Sequence, residues 1–443
     1  MSLLQEYDLR NVFQTERSLL TFSGFYPRRD KKYSSLYIFS ASVNLLCSYL
    51  QLLSMLGQMV VDKNNLSKLT DTLLFFMTHF AFLCKLTNFG YYRWHLLVVE
   101  DSLIDAVFYE ICHTELLKSK VQSCKLVARI FRILCILCII FYAVIPCLGE
   151  ERVLPLPGWL PYDTTKYYYE TVFFQLLSIC ISAYNNSSID ILTWKLITIA
   201  SAQFDILKEN LKNIFYKSEG EDDTKLIEIC FKNCVKHHNE IINLVNSIEF
   251  IFSKGIFLQF FASVIIICFT GFQMIVVPIP SIEFTFLIMY LSCMMCQVAM
   301  YCWYGHDVMM TSDEIGQYCY ISNWYESNIE IRKSMIIFWE RAKKPVTLTA
   351  GNFVTLSLTT LTGVSNKQIK RVVYTTNIFV SFHMQDLGKH LLNIKSNLKN
   401  LQKLNTDNLV YFSDTTIIIF IFRCFATFVQ RFLKCSAVAE MWR

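Results

Sequence analysis

Met300–Glu326, MYCWYGHDVMMTSDEIGQYCYISNWYE, and Thr347–Leu361, TLTAGNFVTLSLTTL, decide how this chain is organised. The first stretch closes a long apolar segment with a Tyr/Trp cluster and passes into a polar helical pattern. The second follows a basic cluster, Arg341-Ala342-Lys343-Lys344-Pro345, and begins another apolar segment. Apolar runs alternating with polar and basic connections are the pattern of a chain that crosses a bilayer several times.

Composition points the same way. Of 443 residues, 53% are hydrophobic, 15% aromatic and only 17% charged, and mean hydropathy is +0.36. A soluble chain of ordinary composition carries about 25% charge. The 36 Phe and 23 Tyr suit helices with aromatic edges at the membrane interfaces. Most of the 17 Cys, among them Cys135, Cys138, Cys180, Cys268, Cys293 and Cys296, lie inside apolar runs. There they read as small apolar side chains, and no metal-ligand spacing emerges. The first 33 residues are polar, end in Arg28, Arg29, Lys31 and Lys32, and carry no signal-peptide pattern.

Six stretches are apolar enough for the roughly 20-residue helix that spans hydrocarbon: Leu36–Met59, Leu69–Leu86, Ile133–Leu148, Thr171–Ala200, Phe257–Val277 and Phe284–Tyr304. The third reaches full length if its helix starts near Val127, with Arg129 and Arg132 as snorkelling anchors. A seventh span begins at Phe353. The expected plan is an all-α membrane protein: residues 1–35 a polar amino-terminal segment, 36–364 the transmembrane domain, and 365–443 an atypical tail.

Lys and Arg set the orientation. Segments 1–33, 87–132, 203–254 and 305–350 hold roughly 24 of them, against about 4 in the three opposite loops. The amino terminus is therefore expected in the cytosol and, with seven spans, the carboxyl terminus outside, opposite to a G-protein-coupled receptor. Ala202–Phe215 is amphipathic, with Phe204, Leu207, Leu211 and Ile214 on one face. An acidic loop, Ser218–Thr224, separates it from the helical pattern of Leu226–Phe252. With Met335–Trp339, these segments are expected to form a cytosolic helical layer; solvated connecting helices are the plainer alternative.

No catalytic constellation is present, so an enzyme is not expected. The residues expected to line a ligand pocket are Phe76, His79 and Phe80 in the second span, Phe141 and Tyr142 in the third, Phe173, Phe174 and Leu177 in the fourth, and Phe286, Tyr290 and Met294 in the sixth. The sixth-span set shares one face by i, i+4, i+8 spacing. Each of these aromatics could equally be helix packing, and His79 could be a neutral imidazole bonded to a neighbouring helix. A volatile ligand burying roughly 250 Å² gains on the order of 6 kcal/mol before association costs, which makes binding weak and selected by shape. Asn185, Asn186 and Asp190 lie within the fourth span and are read as facing a watery crevice or bonding between helices.

Local motifs resemble those of insect odorant receptors, in order along residues 1 to about 362. Leu154–Tyr169, LPLPGWLPYDTTKYYY, looks like the family's second outer loop. Gln203-Phe204-Asp205-Ile206-Leu207 is similar to the element at the cytosolic end of its fourth span. Tyr301-Cys302-Trp303-Tyr304-Gly305 and Trp324-Tyr325 resemble its sixth span and the helix after it, and Arg341-Ala342-Lys343-Lys344-Pro345 with Thr349-Ala350-Gly351-Asn352-Phe353 resembles the approach to its last span. The resemblance implies an odorant-gated cation channel of the plasma membrane, a heterotetramer of an odorant-binding subunit with a shared co-receptor. It implies a pocket between spans two, three, four and six for a small volatile ligand, and a last span that lines the pore, here with Phe353, Leu356 and Thr360. No cofactor, metal or nucleic acid is implied. A gustatory receptor channel and a polytopic transporter are the alternatives.

The chain departs from the family after Val364, where Ser365–Arg371 puts three cations into the expected last span. Each costs roughly 2.5–3.5 kcal/mol at mid-helix. Val364-Ser365 can be encoded by a splice-donor sequence, so translation into an intron is the expected origin of the tail. A genuine tail, with Ile417–Val429 or Val372–His383 as substitute span, is the other reading.

Overall fold

The structure, a computed structural model, describes residues 12–27, 29, 34–103, 114–148, 154–214, 223–278 and 281–361. The tail beyond 364 and the acidic loop 218–222 lie outside these residues, as do Arg28, Lys31 and Lys32. A short helix α1 (Gln14–Phe22) precedes six long ones: α2 (Ser35–Val61), α3 (Leu66–Ser102), α4 (Thr114–Leu148), α5 (Tyr168–Asn213), α6 (Asp223–Val276) and α7 (Ile282–Asp313). Two shorter helices follow, α8 (Ile315–Ile321) and α9 (Ile329–Ala342), then strands β1 (Thr349–Ala350) and β2 (Val354–Thr355).

Helix starts follow side-chain chemistry. Ser34, Asn65 and Ser281 cap α2, α3 and α7 by accepting backbone N–H bonds from Leu36, Lys68 and Phe284. Each of the first six expected spans falls on a helix, but most helices outrun their apolar runs. α6 is 54 residues long and α5 is 46, far beyond what hydrocarbon requires. Their surplus turns, with α8 and α9, build a packed layer at the end of the bundle where α1 lies. Phe204, Leu207 and Leu211 of α5 meet Ile241, Leu244 and Val245 of α6 and Phe338 of α9 in one buried cluster.

Five of the described helices are long and apolar enough to cross a membrane: α2, α3, α4, α6 and the continuous α7–α8 segment. α5 is not among them, although it was the fourth expected span. It packs against α2, α3, α4, α6 and α7, and from Asn185 to Leu207 nearly all of its residues are buried in protein, while Phe173 and Leu177 nearer its start are exposed. A helix shielded in this way can carry Gln175, Ser178, Ser182, Asn185 and Asp190 buried along its length.

Two expectations are corrected. Arg132 is not a snorkelling anchor; its guanidinium turns inward to Glu16 of α1 at 2.7 Å, because that buried carboxylate offers a better partner than the interface. The last span does not begin at Phe353. Gly351 and Asn352 take φ of +62° and +61° and reverse the chain into an antiparallel hairpin, Thr349 opposite Thr355 and Ala350 opposite Val354. Helix resumes only at Leu358. Gly351 is held by Ser253 of α6, whose carbonyl and hydroxyl both accept its N–H.

Candidate ligand-binding site

A cavity of about 140 Å³ opens between α3, α4, α5 and α7, away from the α1 end. Its side walls are Phe75, Thr78, His79 and Phe82 of α3, and Phe131, Cys135, Cys138, Ile139 and Tyr142 of α4. Opposite stand Ile179, Ser182, Ala183, Asn186 and Ser187 of α5, with Tyr290, Cys293, Met294 and Gln297 of α7. Met55 of α2 and Leu156 of the loop before α5 complete it. The α3, α5 and α7 residues each recur at i, i+3, i+4 and i+7, one face of a helix apiece.

Four of the expected residues, His79, Tyr142, Tyr290 and Met294, line this cavity. Phe286 stands behind them, its ring 4.6 Å from Tyr142 and 5.9 Å from Tyr290. Phe76 and Phe141 pack on the surrounding apolar cluster, and Phe76 stacks on Phe80 at 6.0 Å. Phe80 is exposed on the outer face of α3; Phe75 and Phe82 take the inward positions instead. The fourth span is rotated by about half a turn from expectation. Phe173 is 70% exposed, Leu177 is exposed and Phe174 half-buried, while Gln175, Ser178 and Ser182 face inward. In lipid the greasy face of a helix turns outward, and its small and polar residues supply the interior.

The polar atoms at the cavity are mostly satisfied. His79 both lines the cavity and bonds a neighbouring helix, its Nε2 being 3.0 Å from the Ser48 carbonyl. Thr78 and Tyr290 share a hydrogen bond. The floor is ionic. Lys85 of α3 donates to Asn186 at 2.7 Å and to Asp190 at 2.6 Å. Asp190 also accepts from Gln297 and from Tyr301, the latter at 2.5 Å, and Gln297 in turn accepts from Gln259 of α6 at 2.9 Å. Asn186 and Asp190 therefore bond between helices. Lys85 and Gln297 were not singled out from sequence, although a lysine at membrane depth is itself a signal. Among the described residues no group of three or more His, Cys, Asp or Glu side chains converges as metal ligands would.

The residues expected at the pore lie apart from the cavity. Phe353, at the hairpin tip, is 83% exposed with its ring 5.8 Å from Phe257. Leu356 is buried against Gly305 of α7. Thr360 sits in the first turn of the resuming helix, its N–H bonded to the Ser357 hydroxyl and its own hydroxyl to the Thr355 carbonyl.

At the α1 end a second ionic group joins the helices beyond their apolar parts. Lys120 of α4 bridges Asp205 (2.5 Å) and Asp307 (3.2 Å), and Lys208 bridges Asp205 (2.7 Å) and Glu314 (2.6 Å). Burial opposes the Lys120 charge, yet the Asp307 and Asp205 carboxylates outweigh it and hold the ammonium above its ordinary range.

Comparison with known proteins adds three findings. The family profile described as 7tm Odorant receptor matches residues 65–367. Odorant receptor Or1 of Anopheles gambiae is 25% identical over 80% of this chain and 91% of its own length. Odorant receptor 85b of Drosophila melanogaster is 29% identical over 44% of this chain. This chain spans about half the length of that receptor and of receptor 85c, 49% and 54%. Among solved structures, the olfactory receptor OR5 from Machilis hrabei superposes with a TM-score of 0.73, covering 84% of this chain and 98% of its own, at 14% identity. A second structure of that receptor, in complex with eugenol, superposes equally well.

Proposed function

This chain belongs to the 7tm odorant receptor family of multi-pass membrane proteins, and on that premise we propose that it is the odorant-binding subunit of a ligand-gated cation channel. In this reading it assembles with a co-receptor into a heterotetramer in the plasma membrane of olfactory neurons, amino terminus in the cytosol. The family is one of receptors and not of enzymes.

The observation that carries the reading is the cavity between α3, α4, α5 and α7, walled by Phe75, Phe82, Ile139 and Met294, with Asn186 and Gln297 linking it to the Lys85–Asp190 pair. A partly open, mainly apolar hollow with a few polar groups suits a small volatile ligand. The eugenol complex of the Machilis hrabei receptor is in keeping with this. His79, Tyr142, Tyr290 and Met294 touch the ligand, and Phe286 backs the two tyrosines. Met294 and Gln297 share α7 with Gly305, against which Leu356 packs, so a ligand pressing on α7 bears on the segment that leads to the pore. Phe353 and Thr360 stand toward neighbouring subunits and the pore, while Leu356 belongs to its own subunit's wall. The cytosolic amino terminus rests on the concentration of Lys and Arg at the α1 end.

Co-expression with a co-receptor and current recording across an odorant panel tests this. Odorant-evoked cation current that needs both subunits and disappears in Met294→Trp is the expected result. Current indifferent to that substitution would remove the cavity from the mechanism. An amino-terminal tag should stay inaccessible to antibody on intact cells.

A further inference from the structure

Three thiols converge where α4 meets α7. The sulfurs of Cys135 and Cys293 are 3.6 Å apart, in van der Waals contact, although they lie 158 positions apart in the chain. Cys138, one turn further along α4, also interacts with Cys293. All three line the cavity, and Cys135 and Cys293 are half-buried free thiols. Cys302 and Cys319, by contrast, are 0% and 1% exposed in the packed core. The function proposed above gives these sulfurs no part. A lone thiol in an apolar wall is inert. Two in contact on different helices are already placed for a bond, which needs an S–S distance of about 2.05 Å.

We propose that Cys135 and Cys293 form an oxidation site, at which a small peroxide entering the cavity closes a reversible disulfide between α4 and α7. Hydrogen peroxide is barely larger than water, and a cavity of about 140 Å³ admits it. One thiol takes an oxygen from the peroxide, becoming a sulfenic acid and releasing water. The neighbouring sulfur then attacks the sulfenic sulfur. The S–O bond breaks, the S–S bond forms, and the hydroxide leaves with the second thiol's proton as another water. Two thiols lose two electrons between them, and the peroxide is reduced to two waters. Contact between the sulfurs favours this capture over further oxidation of the sulfenic acid. In the orientation proposed above the cavity opens to the exterior, where disulfides persist. The bond ties α7 to α4 beside Met294 and one turn before Gln297, and so holds still the helix on which the ligand acts. That orientation and that consequence rest on the proposed function; the bond itself does not.

Peptide mapping of the purified full-length chain in detergent, before and after hydrogen peroxide, tests the site without ligand or co-receptor. Peroxide should produce a cross-linked peptide joining Cys135 to Cys293, lighter than the two thiol peptides by two hydrogens and removed by dithiothreitol. It should be absent from Cys135→Ala and from Cys293→Ala, and present in Cys302→Ala. A peroxide-treated native chain in which Cys135 and Cys293 stay free, or are oxidised separately, would overturn the proposal. A Cys138–Cys293 peptide in its place would overturn the choice of Cys135. The consequence is read as current in cells that also express a co-receptor. Peroxide should abolish most of the odorant-evoked current, dithiothreitol should restore it, and Cys135→Ala should be spared. Full current from channels that carry the cross-link would overturn the effect on α7. Channels silent to every odorant before treatment, with the cross-link still forming, would overturn the proposed function and not the site.

Discussion

Lys85 and Asp190 form an ion pair of 2.6 Å in the middle of the bundle, their side chains 4% and 0% exposed. Four helices contribute: Lys85 from α3, Asn186 and Asp190 from α5, Gln297 and Tyr301 from α7, and Gln259 from α6. Such a pair gains little over a well-packed apolar pair of the same volume, but losing one member leaves the other charged and alone. Asp190→Asn is therefore expected to destabilise the protein by about 3–5 kcal/mol. The double variant Lys85→Gln, Asp190→Asn should recover most of that loss, because no lone charge remains. Thermal unfolding of the detergent-solubilised chain measures both; a double variant no better than the single one would contradict the account.

Glu16 holds α1 to the bundle. It is 1% exposed and accepts from Lys195 and from Arg132, the latter at 2.7 Å. Glu16→Gln removes the countercharge of two cations and should free α1, seen as faster amide exchange across residues 12–26 while α5 stays protected. Glu330→Gln, on the exposed face of α9, is the comparison and should change stability by less than about 0.5 kcal/mol.

Gly305 lets the chain after the hairpin reach α7. A Cβ at this position would meet the side chain of Leu356 and lie 2.8 Å from its carbonyl oxygen. Gly305→Ala should cost about 1–3 kcal/mol by overpacking. Because part of the clash is with backbone, adding Leu356→Ala should not rescue it. Surface expression of the two variants, measured side by side, checks this.

The layer at the α1 end should loosen in acid. Burial, reinforced by mutual repulsion, lowers His237 to about 4, and burial with the nearby Arg341 lowers His238 to about 4. His237 Nε2 lies 3.0 Å from the Gln203 oxygen and the His238 ring 5.1 Å from Phe338, so both are wedged among α5, α6 and α9. The folded protein keeps both neutral, whereas the unfolded chain binds protons below about pH 6.5. Stability is thus complete above pH 6.5 and falls as pH drops toward 4, by on the order of 2–3 kcal/mol for each histidine. Melting temperature against pH should show that decline in the native chain and a smaller one in His238→Gln.

The spans were legible because lipid leaves little choice: about 20 apolar residues must be helical, and Leu36–Met59 or Phe284–Tyr304 can be nothing else. The amphipathic run Ala202–Phe215 likewise announced that α5 continues past its span. The hairpin was hidden in a segment whose apolar residues read as the start of a helix, since two positive φ values at Gly351 and Asn352 leave no periodic trace. Of the wall residues on α7, Tyr290 and Met294 followed from spacing because that part of its inward face is apolar, whereas Cys293 and Gln297 did not. Those on α5 did not, because Phe173 and Leu177 turn outward and Ser182 and Asn186 turn in.

From residue order alone came the six long helices among the described residues and where the cations gather, both consequences of local hydropathy and backbone hydrogen bonding. Only the packed bundle decided which face of each helix looks inward, that Lys85 finds Asp190 across 105 residues of chain, and that Ser182 and Tyr142 share one hollow. A helix repeat relates residues on one helix to each other, whereas rotation about the axis and choice of neighbour depend on every other helix at once.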